Sequence, residues 1–132
     1  MKKLVNWSFA HFKSPRDMVV NRGFFLQVFW LLLHEVFSSF VPGSFWRVRL
    51  LRIFGASIGD GVIIKQRVCV KYPWKLKIGD HSWIGERVWL DNVELVEIGA
   101  NSCISQGAYL CTGSHDYSNP TFAYNGRPIS VG

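Results

Sequence analysis

From Ile58 onward, aliphatic side chains recur at every sixth position. They occupy 58, 64 and 70, then 78, 84 and 90, then 98, 104 and 110. A small residue follows four places after most of them: Val62, Val68, Ser82, Val88, Ser102 and Ala108. An Ile-Gly pair opens each row at 58, 78 and 98, so the rows repeat with a period of 20. Such a repeat predicts short strands joined by tight turns, three hexapeptides to a triangular coil, with two extra residues at one corner. Each aliphatic residue points inward and stacks on its counterpart one coil away, because one coil cannot bury a core alone. Gly59, Gly79, Gly85 and Gly99 fall where a turn needs positive φ or where backbones approach closely. The expected fold is an all-β solenoid, a left-handed parallel β-helix of about three 20-residue coils over residues 57–132.

Residues 1–56 carry a different pattern. Ser14-Pro15-Arg16-Asp17 has the order of a helix start, with a hydroxyl cap, a proline in the first turn and an acid three places after the cap. Phe24 to Val41 is an apolar run of 18 residues interrupted by Gln27, His34, Glu35, Ser38 and Ser39. At 3.6 residues per turn these five share one helix face. The run therefore predicts an amphipathic helix that lies in an interface or packs on the domain rather than crossing a bilayer. Val41-Pro42-Gly43 is a stop, Ser44 caps a second short helix, and Gly55 ends it.

Charge sharpens this division. Residues 1–56 hold eight Lys/Arg against two Asp/Glu, while 57–132 hold seven of each, so the whole net charge of +6 lies in the leader. A leader that is basic and apolar fits an anionic membrane surface better than nucleic acid. No secretory signal opens the chain. Three cysteines without a CxxC (Cys69, Cys103 and Cys111) read as reduced thiols, consistent with the cytoplasm.

The third coil is interrupted by a polar stretch at 111–128 that contains His115, Asp116, Asn119, Asn125 and Gly126. Val131-Gly132 then occupies the Ile-Gly slot, 33 residues after Ile98, which is one coil of 20 plus a loop of 13. Loops inserted at a solenoid corner commonly carry function. The sequence stops inside the motif that opens a further coil, which reads as a truncated form with later coils missing.

The Ile-Gly rows, together with Thr112-Gly113-Ser114-His115-Asp116-Tyr117 and the segment Arg49 to Ala56, resemble hexapeptide-repeat acyltransferases. The resemblance is to the colanic-acid or exopolysaccharide O-acetyltransferase branch, related to maltose and galactoside acetyltransferases. It implies acetyl transfer from acetyl-CoA to a sugar hydroxyl without a metal, in a homotrimer with sites between subunits. It assigns the base to His115, a residue type whose proton exchanges near neutral pH. The pantetheine arm would run along later coils, leaving the CoA-binding residues unassigned. Asp116 is a candidate to orient the imidazole or hold the sugar, against a turn-capping role. Asp91 and Asn92 are candidates to line the acceptor cleft, although the closest slots to the family's asparagine read Gly85 and Arg87. Trp83, Trp89 and Tyr109 either stack on sugar rings or pack at corners and interfaces. A γ-type carbonic anhydrase would need three histidine ligands, and the repeat region offers only His81 and His115. A non-catalytic, trimer-forming or membrane-associated remnant is the other alternative.

Overall fold

The computed structural model describes residues 23–132. The helix start expected at 14–17 lies outside them. Two helices come first, α1 (Phe24–Phe37) and α2 (Phe45–Ile53). Nine short strands make three turns of the solenoid: β1 (Ser57–Ile58), β2 (Ile63–Ile64), β3 (Cys69–Val70), β4 (Leu76–Ile78), β5 (Trp83–Ile84), β6 (Trp89–Asp91), β7 (Val96–Ile98), β8 (Cys103–Ile104) and β9 (Tyr109–Cys111). After a loop, β10 (Ile129–Val131) begins the next rung.

The strands stack as three parallel sheets, β1-β4-β7-β10, β2-β5-β8 and β3-β6-β9. Register follows the 20-residue period. Ile58 lies beside Ile78, Ile78 beside Ile98, and Ile98 beside Val131. Ile64, Ile84 and Ile104 form the second column, and Val70, Leu90 and Leu110 the third. This is the left-handed parallel β-helix with a helical segment ahead of it. Its interior columns are almost wholly buried, and Val70, Ile84 and Val96 have no exposed surface. Each such side chain contributes about 1.5–3 kcal/mol, so the alternation of buried and exposed positions fixes register against slippage.

The turns assign two separate jobs that the sequence pattern left merged. Left-handed φ occurs at Gly61, His81 and Asn101 in one corner and at Arg67, Arg87 and Gly107 in the next. His81 is therefore a turn residue. The Ile-Gly glycines do not adopt that conformation; they serve close approach. A Cβ at Gly79 would run into the backbone nitrogen of Ala100, and one at Gly85 into that of Gln106.

Helices α1 and α2 pack on the strands of the first coil, α1 on β3 and α2 on β1 and β2. Trp30, Phe37, Val48, Leu51 and Phe54 join the same apolar cluster as the coil interior, so the core is continuous across residue 56. The Trp30 indole donates to the carbonyls of Val70 (3.2 Å) and Lys71 (3.1 Å), which locks α1 on the coil edge. Ser44 sits at the N-cap position of α2 but makes no capping hydrogen bond. Its hydroxyl instead accepts from the Ile64 amide at 2.7 Å and stitches the helix to β2. Arg47 is fully buried and donates to four carbonyls of the α1–α2 connection: Phe37, Ser39, Val41 and Gly43. Burial pulls its guanidinium below the ordinary arginine pKa.

Candidate active site

The polar insertion folds back on itself as an irregular hairpin. Thr112 anchors its base: the buried hydroxyl donates to Asp91 O at 3.2 Å and accepts from the Glu94 amide at 2.8 Å. The two limbs run antiparallel, with Asp116 N bonded to Ala123 O, Asn125 N to Ser114 O and Arg127 N to Thr112 O. His115 and Tyr124 face each other across them as a bridge pair. Gly126 permits the closure, since a Cβ there would strike the Tyr124 ring.

His115 is held from three directions. Its ring stacks on Phe122 (centroids 4.6 Å apart, planes 10° apart) and meets Tyr124 edge-on at 5.9 Å. Nδ1 lies 3.2 Å from Phe122 O. A carbonyl accepts only, so this contact requires the proton on Nδ1 and leaves the lone pair on Nε2. Phe122 itself is held at φ +51°, a conformation that costs a bulky residue energy. That backbone strain aims the carbonyl that fixes the imidazole tautomer. Tyr124 in turn donates to Glu94 Oε1 at 3.1 Å; burial and then Glu94 push its hydroxyl up to about 12.

The imidazole lines an open cleft of about 610 Å³. The walls come from Cys111 to Ser118 on one limb and from Asn125, Arg127, Pro128 and Ile129 on the other, with Asp116 and Arg127 as the charged side chains. Asp116 serves its own turn. Its Oδ1 accepts from the Ser118 amide (2.9 Å) and hydroxyl (2.5 Å), making an Asx turn. Those bonds from Ser118 hold its carboxyl below the usual range.

Along the third face, next to the cleft wall at Cys111, a polar group centres on Asp91. Lys71 Nζ donates to Oδ1 at 2.8 Å, and the Tyr109 hydroxyl to Oδ2 at 2.9 Å. The Cys111 thiol lies 3.7 Å from the same oxygen. Burial alone would raise the Asp91 carboxyl, but the bonds from Lys71 and Tyr109 outweigh it and hold it low. Trp89 stacks obliquely on Tyr109 at 4.9 Å, and both rings are about half exposed. Trp83 stands on a different face, with Lys65 Nζ 5.2 Å from its ring centre. Asn92 departs from the acceptor-lining expectation. It is fully buried, its Oδ1 accepts from Tyr72 N at 3.0 Å, and its Nδ2 donates to the carbonyls of Tyr72 and Lys75. Asn92 thus clamps the eight-residue corner of two successive coils. Asn92→Ala is expected to lower stability by about 2 kcal/mol, since three buried backbone groups lose their partner; a thermal melt reads this directly.

Over 122 residues, 92% of its length, the chain is 40% identical to a protein of Escherichia coli (strain K12) named "Putative colanic acid biosynthesis acetyltransferase WcaF". It matches the protein of the same name from Shigella flexneri to the same extent. The match spans 67% of each relative. The chain belongs to the colanic-acid branch of the hexapeptide-repeat acetyltransferases. No family model matches it, and no solved structure does.

Within this acetyltransferase the loop histidine was legible from its motif, whereas its supports were not. Phe122 and Tyr124 reach the His115 ring, and Arg127 the cleft, only because the loop closes as a hairpin, and the limb that carries them has no motif of its own. Among the described residues no group of three or more His, Cys, Asp or Glu side chains is placed to hold a metal ion.

Proposed function

We propose that the chain transfers an acetyl group from acetyl-CoA to a sugar hydroxyl in exopolysaccharide synthesis, with His115 as the general base. The observation that carries the reading is that His115, with Nδ1 3.2 Å from Phe122 O, lines an open polar cleft; in the neutral ring that contact puts the lone pair on Nε2. In the reaction Nε2 takes the proton of the acceptor hydroxyl as its oxygen attacks the thioester carbonyl carbon. The tetrahedral intermediate collapses, the carbon–sulfur bond breaks, and the imidazolium returns its proton to the departing thiolate. A backbone N–H or a donor from a neighbouring subunit would meet the oxyanion. Arg127 supplies a cation suited to an anionic donor or acceptor.

The acceptor is a saccharide, free or lipid-linked. Trp89 offers a half-exposed ring stacked on Tyr109, whose hydroxyl meets Asp91, and Asp91 a carboxylate whose hydrogen bonds hold it charged. Asp116 shapes the loop rim. Trp89→Ala is expected to raise the acceptor KM roughly tenfold, the loss of one stacked ring, with kcat little changed. Initial rates against acceptor concentration separate the two; a fall in kcat at constant KM would remove Trp89 from the acceptor site. The same reading makes the protein a cytoplasmic homotrimer with sites between neighbours and with peripheral contact to anionic membrane through residues 1–56. No described helix is long and apolar enough to cross a membrane. Purified protein incubated with acetyl-CoA and an oligosaccharide should release CoA thiol and acetylated sugar in equal amounts.

A further inference from the structure

Helix α1 carries its apolar residues on the wrong side for a solvent-facing helix. Leu26, Trp30, Leu33 and Phe37 face the coil. On the opposite side Phe24, Phe25, Leu31 and Leu32 are about 70–85% exposed. The polar residues do not cover that outer face. Gln27 turns to a small cavity against Tyr72 and Trp74, and His34 lies edge-on to Trp30 at 6.0 Å. Glu35 is the exception, a carboxylate at the C-terminal end of the face with 91% of its side chain exposed. Among the described residues, eleven of the sixteen large exposed apolar side chains lie between Phe24 and Ile53, so the apolar surface is concentrated on this helical cap.

We infer that the outer face of α1 is a docking surface for an anionic lipid bilayer, entered by its Phe24–Leu32 end. Charge selects this occupant over another protein surface. The sequence joined to that end, residues 1–22, contains Lys2, Lys3, Lys13, Arg16 and Arg22 against the single acid Asp17. The neighbouring helix exposes Phe45 with the Arg49 guanidinium 4.5 Å above its ring, an apolar body with a cationic tip that suits the headgroup layer. A helix with a broad apolar face and flanking basic residues lies in the plane of such a membrane, and each nearby cation adds roughly 1 kcal/mol of attraction. The solitary acid sits at the far end, where the helix would rise out of the interface. Since α1 covers the first coil and the cleft opens at the third, two strand spacings of about 4.8 Å separate them. With the helix itself about 10 Å across, the cleft would stand roughly 20 Å above the bilayer surface, within reach of a saccharide on a lipid carrier.

The inference deepens the peripheral-membrane part of the proposed function and moves the anchor from the basic segment to a defined apolar face. The test is sedimentation of the full chain with phosphatidylcholine vesicles that contain or lack phosphatidylglycerol. It compares wild type with Phe24→Ser/Phe25→Ser/Leu32→Ser, three exposed positions whose loss leaves the fold intact, as a melt would verify. Wild type should pellet only with the anionic vesicles, and the triple variant should bind them at least about tenfold more weakly. Acetyl transfer to a soluble acceptor should be unchanged, which separates failure of the anchor from failure of the enzyme reading. Binding that survives the triple change and is lost only with residues 1–22 would overturn the inference. So would wild type that ignores both vesicles, whether or not the triple variant changes its solution mass.

Discussion

His115→Ala is expected to lower kcat/KM for acetyl transfer by about 10²- to 10⁴-fold, the usual contribution of a positioned general base. The loss should fall on kcat, because the imidazole acts on the proton in flight and holds little of the ground-state substrate. The geometry also ranks the neighbours. Asp116 satisfies its own turn through Ser118, so Asp116→Asn should cost far less than the histidine change. Phe122 positions the base through its backbone carbonyl, so Phe122→Leu should keep the contact and weaken only the ring stacking. A large loss from Asp116→Asn would restore the carboxylate as the orienting group and contradict the tautomer argument.

The second large effect is structural. Arg47→Ala is expected to destabilise the protein by at least about 3 kcal/mol, since four carbonyls lose a charged donor inside a closed connection. The corresponding fall in Tm is about 10 °C or more. Arg47→Lys keeps the charge but cannot fork to four acceptors, so it should recover only a small part. Because α2 covers the first coil, the unfolding transition should also become less cooperative, which calorimetry detects.

The solenoid was legible because its signal is redundant. Each column repeats an aliphatic side chain at a spacing of 20, and the fall of Val131 beside Ile98 after a long insertion shows that the slot, not the chain distance, sets register. The loop histidine was legible for a local reason, its motif. What stayed hidden depends on contacts between distant residues. The orientation of α1 is one case: the polar stripe is a property of the helix alone, but the open apolar end of the first coil decides which side faces inward. Asn92 is another. Beside Asp91 it reads as a polar surface residue, yet the corner turns it into the coil, where the backbone of Tyr72 and Lys75 uses its amide. Ser44 likewise gives up capping because an amide of β2 lies within reach. The Ile-Gly glycines answer to the coil above them, and no single row of sequence shows that neighbour.

Mass spectrometry of a saccharide acceptor after incubation with isotopically labelled acetyl-CoA tests the account at its centre. Wild type should add one labelled acetyl group to a sugar hydroxyl, and His115→Ala, folded to the same melting temperature, should add almost none in the same time. Equal labelling by both proteins would remove the imidazole from the chemistry, and with it the role assigned to the cleft.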